Sequence, residues 1–170
     1  MRRVLPGASA APQPLRQVAS SGPASATQDE REPDVEIQTK QPTVKGPAEL
    51  FTGDVWFDVV VRDQDYPRMR ANTVHFSPCA RTAWHSHPGG QTLYVLEGRG
   101  LVQSRGGEVI EIRPGDVIYT PPGEEHWHGA APDHFMTHLA LWEVDGNGNS
   151  AIWGDHVTDD EYHAAPARRA

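Results

Sequence analysis

Between Ser77 and Asp133 the chain is cut repeatedly by turn-forming residues: Ser77-Pro78, Pro88-Gly89-Gly90, Glu97-Gly98, Arg105-Gly106-Gly107, Arg113-Pro114-Gly115, Pro121-Pro122-Gly123 and Ala131-Pro132-Asp133. Proline fixes φ and lacks an N–H, and glycine accepts positive φ, so no long helix survives such punctuation. The runs between the turns are short and rich in β-branched and aromatic residues, beginning with Val55-Trp56-Phe57-Asp58-Val59-Val60-Val61. Strands are predicted over residues 55–61, 72–76, 83–87, 92–96, 100–104, 109–113, 116–120, 125–128 and 135–144, with a polar connection over 63–70. Many short strands joined by frequent turns predict an all-β, antiparallel sandwich or barrel.

With 170 residues the chain holds one such domain and some spare length. The spare part is residues 1–45, rich in Ala, Pro, Ser and Gln and without a sustained apolar period. A segment of that kind cannot bury enough surface to offset its ordering entropy, so it is predicted to be a disordered tail before a domain over 46–170. Near the other end, Thr158-Asp159-Asp160-Glu161 has the spacing of a capping box and predicts one short terminal helix.

The net charge of −8 argues against a nucleic-acid surface. The only charges in the first 28 residues are Arg2, Arg3 and Arg16, so the remainder carries −11. A small-molecule partner is the expectation. Cys79 is the only cysteine, which excludes an intrachain disulfide and a thiolate zinc cluster. The expected compartment is the cytoplasm, since no run is long and apolar enough to span a membrane and the N-terminus lacks the apolar core of a secretory signal.

His85 and His87 are one residue apart on a predicted strand and share a face, and Gln91 follows one tight turn later. A lone His-x-His is more often an ordinary hydrogen-bonding pair. His126, placed just after the Pro121-Pro122-Gly123 turn, makes the group a metal site. His128 has the parity of His126, while His138, Ala140 and Trp142 share one face of the last strand. His134, His156 and His163 are assigned to surface loops or the helix. Trp84 and Trp127 have the opposite parity and are expected to pack outside the barrel, where exposed apolar faces suggest a sheet-on-sheet homodimer or a homotetramer. Cys79 is expected to be a small packed residue.

These residues carry a resemblance. Gly115, Pro121, Gly123 and His126 fit Gly-x5-Pro-x-Gly-x2-His, and His85 and His87 fit Gly-x5-His-x-His-x3-Glu, the two signature motifs of the cupin superfamily. The first motif is met with two departures: Pro78 through Ala80 lack its glycine, and Gln91 replaces its glutamate. From Gly46 onward the chain further resembles small bacterial manganese cupins that act as hydroxynitrile lyases, through Arg81-Thr82-Ala83-Trp84-His85-Ser86-His87, Gln91-Thr92-Leu93, His126-Trp127-His128-Gly129-Ala130-Ala131-Pro132 and Met136-Thr137-His138-Leu139-Ala140.

The resemblance implies a single cupin barrel, or jelly roll, holding one divalent metal per chain on His85, His87, Gln91 and His126. Mn2+ is the first expectation; Fe2+, Zn2+, Ni2+ and Cu2+ also suit the donor set. A neutral glutamine leaves the metal its full charge and favours Lewis acidity. His138 and His128 line the pocket as candidate bases, and Asn72, Val74, Thr82 and Trp142 match positions that shape it. The implied activity is cleavage or formation of cyanohydrins. The alternatives are an iron or copper dioxygenase and a non-catalytic small-molecule binder.

Overall fold

A computed structural model describes Val35, residues 37–61 and 68–164, and Pro166. The expected tail up to residue 34, Glu36, and residues 62–67, which include 63–67 of the polar connection, lie outside the described residues. The chain from Gln38 onward is one compact unit, and the regular structure of its described residues is nearly all strand. It begins earlier than composition suggests: Val44–Lys45 (β1), inside the expected tail, pairs antiparallel with Val55–Val61 (β3), Val44 facing Phe57 and Lys45 facing Trp56. Two residues are too few to leave a compositional signal.

Two antiparallel sheets face each other. The first runs in the order β1, β3, Met69–Phe76 (β4), Met136–Glu143 (β12), Gln91–Gly98 (β7) and Val117–Thr120 (β10). The second runs Ile152–Trp153 (β13), His85–Ser86 (β6), His126–Ala130 (β11), Arg81–Thr82 (β5) and Phe51–Thr52 (β2). Off that path, β11 also pairs with Gly100–Ser104 (β8), which pairs with Ile110–Ile112 (β9). Of the strands predicted from sequence, 55–61 and 100–104 are present with the same ends and the others with shifted ends, residues 83–87 contributing only the two-residue β6. The two-residue strands β1, β2, β5 and β13 are additional.

Period-2 alternation decides which side chains reach the interior. Along β7, Leu93 and Val95 are buried while Tyr94 and Leu96 are exposed. The core between the sheets gathers Val55, Val74, Phe76, Leu93, Val95, Ile112 and Met136. Each such side chain contributes roughly 1.5–3 kcal/mol on burial.

The expectation for Trp84 and Trp127 is corrected. Both pack outside the barrel as parity requires, but they are 2% and 0% exposed, because the end of the chain covers them. Together with Leu101, Val109, Val157 and Tyr162 they form a second apolar cluster. The covering segment ends in Asp159–Tyr162 (α1), and its capping box is formed: the Thr158 hydroxyl accepts from the Glu161 N–H, and the Glu161 carboxylate accepts from the Thr158 N–H. Buried Arg81 donates to the Val157 carbonyl and to Asp159 and stacks over the Tyr162 ring, whose hydroxyl donates to the Ala130 carbonyl at 2.7 Å. Of the apolar residues that do remain exposed, Tyr94, Val117 and Tyr119 lie on the other sheet and are 42%, 67% and 66% exposed. Among the described residues no helix is long and apolar enough to cross a membrane.

Cys79 is exposed, against the expectation that it packs. It stands six positions before His85, in the slot where the motif has glycine, and its φ is +68°. The residue has changed but the backbone keeps the conformation that glycine accepts freely and an L side chain does not.

Two stability outcomes follow. Cys79→Gly should stabilise the protein by about 0.5–1 kcal/mol, because relief of left-handed strain exceeds the entropy glycine adds to the unfolded chain. Equilibrium denaturation tests this, and a destabilised variant contradicts it. In the same measurement Tyr162→Ala should cost about 3–5 kcal/mol and Thr158→Ala about 1 kcal/mol. Negligible losses from both would mean that the terminal segment does not hold the second cluster together.

Candidate metal centre and cavity

The site is built where two turns meet. His85 and His126 are direct cross-strand partners on β6 and β11, with ring centroids 4.3 Å apart. His87 lies in the turn that leaves β6, and Gln91 is the first residue of β7. The carbonyl of His87 accepts hydrogen bonds from the N–H of Gly90 and of Gly123, so each turn holds the other. Both glycines have positive φ, +79° and +75°. A Cβ on Gly90 would lie 2.8 Å from the Thr120 carbonyl oxygen, which explains why only glycine fits there.

Every expected ligand histidine has its Nδ1 facing a backbone carbonyl: Ala83 for His85 at 3.0 Å, Ser150 for His87 at 2.8 Å and Glu124 for His126 at 3.1 Å. A carbonyl only accepts, so the proton sits on Nδ1 and Nε2 is left bare, the form in which imidazole binds metal. Burial is the first cause that keeps all three neutral. It lowers the pKa of His126, holds that of His85 well below the usual histidine range, and brings that of His87 to about 4.

His126 meets a conflict. Its Nε2 is 2.9 Å from Oε1 of Gln91, so both ring nitrogens face oxygen acceptors while a neutral imidazole has one N–H to give. A cation held between Nε2 and Oε1 would remove the conflict, because each atom would then offer it a lone pair. Turning the Gln91 amide end for end also removes it, but leaves Nε2 of His87 buried without a partner among the described residues. The donor set therefore fits a divalent metal.

Proximity alone selects a different trio. The nitrogens of His85, His126 and His128 lie within 4.8 Å of one another, and His87 stands apart from that group. His128 differs in its partner, since its Nδ1 is 3.1 Å from Nε2 of His138 rather than facing a carbonyl. Both rings are neutral, burial being the first cause: the pKa of His138 falls to about 3 and that of His128 lies well below the usual range. Nε2 of His128 and Nδ1 of His138 are buried without partners among the described residues. His138 faces the interior by regular alternation on β12 with buried Met136 and Ala140, and the register shift at Thr137/His138 leaves Leu96 of β7 as the extra residue.

A cavity of about 530 Å³ opens onto this centre. Its wall includes His85, His87, Gln91 and His128, and the four expected pocket residues Asn72, Val74, Thr82 and Trp142. His138 is fully buried behind His128 and is not part of the wall. Of the other histidines, His134 and His156 are exposed on loops and His163 caps α1.

Sequence reasoning missed several wall residues: Phe51, Phe57, Trp153 and the segment around Ser150. Trp153 stacks on the His85 ring, centroids 4.6 Å apart at 24°. The apolar pair Ile152-Trp153 after the glycine-rich turn is the one signal that could have marked a short strand. Ser150 gave none, because it holds His87 through its main chain.

The family model described as a cupin domain matches residues 72–142. A curated (R)-mandelonitrile lyase from Granulicella tundricola is 51% identical over 122 residues, covering 72% of this chain and 92% of the relative. Among solved structures, a cupin-like protein from Thermotoga maritima is 40% identical with a TM-score of 0.66, covering 75% of this chain and 95% of that one. The polyketide cyclase RemF from Streptomyces resistomycificus, 23% identical with a TM-score of 0.53 over 64% of this chain and 75% of its own, shares the fold. On its two motif turns, its antiparallel barrel and these relatives, the chain belongs to the cupin family.

Proposed function

We propose that this protein is a metal-dependent hydroxynitrile lyase that cleaves or forms aromatic cyanohydrins, with His128 carrying the proton. The observation that carries the reading is the His128–His138 pair beside the bare Nε2 atoms of the metal centre, at the wall of an apolar and aromatic cavity. The half-identical mandelonitrile lyase supports the same substrate class. His85, His87, Gln91 and His126 would hold the metal, Mn2+ by the family resemblance, and when bound it supplies Lewis acidity toward a substrate oxygen.

The residues do the rest. Phe51, Phe57, Val74 and Trp153 enclose an aryl group and exclude water, and Asn72 and Thr82 offer polar contacts on the wall. With its Nδ1 proton donated to His138, His128 presents a bare Nε2 to the cavity and takes the hydroxyl proton of the cyanohydrin. The O–H electron pair becomes the second bond of the carbonyl, the carbon–carbon bond to the nitrile breaks, and its electron pair leaves on cyanide. Cyanide then takes the proton back from His128, giving aldehyde plus hydrogen cyanide. Burial makes protonated His128 costly, so the proton is released readily.

The ligand assignment separates from the proximity trio by substitution. His87→Ala should lose most bound Mn2+, whereas His128→Ala should retain it and lose about 10²–10⁴-fold in turnover. Metal analysis of the purified variants decides the matter, and the reverse pattern would make His128 a ligand and remove it as the base.

The reaction class is tested without oxygen. Manganese-loaded protein under nitrogen should release benzaldehyde from mandelonitrile at the rate seen in air, against a metal-free control. Turnover that stops under nitrogen would instead assign an oxygenase.

A further inference from the structure

The three ligand histidines are not held alike. His85 and His126 each bond a carbonyl two residues earlier, Ala83 and Glu124, so their orientation is local to the strand that carries them. His87 bonds Ser150, 63 residues further on, in the segment that follows β12. That segment is built. The Asp145 carboxylate accepts from the N–H of Asn147 and of Asn149 and from the Asn149 amide, each at 2.8 Å, closing the turn on itself. The Ser150 hydroxyl accepts from Nε1 of Trp142 at 2.6 Å, which ties the segment to β12. Immediately after it, Ile152 and Trp153 pair with Ser86 and His85.

We propose that residues 145–151 act as a strap that positions His87 for the metal, with Asp145 and Ser150 as positioning residues and Trp142 as the latch. The Ser150 carbonyl sets the Nδ1–H form of His87 and fixes the ring, and the carbonyl stays in place only while the turn and the latch hold. Trp142 thereby does more than narrow the cavity. Its ring lies 5.6 Å from that of His87, while its N–H secures the group that orients His87. The inference rests on the reading of His87 as a ligand.

The test is Mn2+ affinity, measured by chelator competition on the full-length protein, beside the visible spectrum of the Co2+-substituted protein and the melting temperature without metal. Asp145→Ala and Trp142→Phe touch no expected ligand atom, yet each should weaken Mn2+ binding about 10–100-fold and alter the Co2+ spectrum. Asp145→Asn keeps an acceptor for both backbone N–H groups and should restore binding to within about threefold. The metal-free melting temperatures should barely move, which separates positioning from general loss of structure. If His87→Ala loses the metal while Asp145→Ala and Trp142→Phe keep native affinity and spectrum, the strap does not position His87 and the proposal is overturned. Full affinity in His87→Ala overturns the ligand reading itself, and this proposal with it.

Discussion

Five imidazoles, those of His85, His87, His126, His128 and His138, share one barrel interior, each at most 5% exposed. The arrangement is tolerable only because every ring is neutral. Burial is the largest cause of the lowered pKa in each case, and the remaining rings add repulsion toward any that would charge at His85 and His128. Neutrality imposes a rule of its own: each ring has one N–H to give and one lone pair to satisfy. The fold meets the first half at His85, His87, His126 and His128 with backbone carbonyls and one neighbouring imidazole, while Nδ1 of His138 has no partner among the described residues. It leaves the second half open on Nε2 of His87 and of His128, and a buried polar atom without a partner typically costs 1–3 kcal/mol. Such atoms persist where a ligand satisfies them.

The backbone pays that attention to few places. Gly90 and Gly123 bring two turns onto one carbonyl, that of His87, so the first and second motifs are mechanically one object. Cys79 illustrates how strictly the local conformation is kept, since φ stays at +68° after glycine has been replaced. The terminal segment protects the arrangement from outside by burying Trp84, the residue directly before His85, in its second cluster.

Much of this was legible in the chain. Turn punctuation gave the strands, and period-2 parity placed His85, His126, His128, Ala140 and Trp142 toward the interior, because alternation on a pleated strand follows from geometry alone. The capping box of Thr158 and Glu161 formed as its spacing demands. What escaped detection depends on contacts distant in sequence. Trp84 and Trp127 read as exposed because nothing local reveals that Val157 and Tyr162 return to cover them. The depth of His138 behind His128 escaped because parity gives a direction and not a distance. The bond from His87 to Ser150 runs through a main-chain carbonyl, which every residue has, so no side-chain pattern announces it.

The same distinction between kinds of partner bears on what His128 does. Its Nε2 cannot serve both a metal and a substrate proton, since a lone pair given to one is withheld from the other. A carbonyl partner, as at His85, His87 and His126, accepts only, and so freezes the proton on Nδ1 and the lone pair on Nε2. The partner of His128 is another imidazole, 3.1 Å away, and an imidazole nitrogen can give a proton or receive one. The pair can therefore hold Nε2 of His128 bare in one tautomer and protonated in the other. A metal ligand gains nothing from that freedom and loses rigidity by it, whereas a group that must take up a proton and return it within one turnover requires it. The partner chemistry thus favours His128 as the proton carrier even though its nitrogen stands closer to His85 and His126 than His87 does.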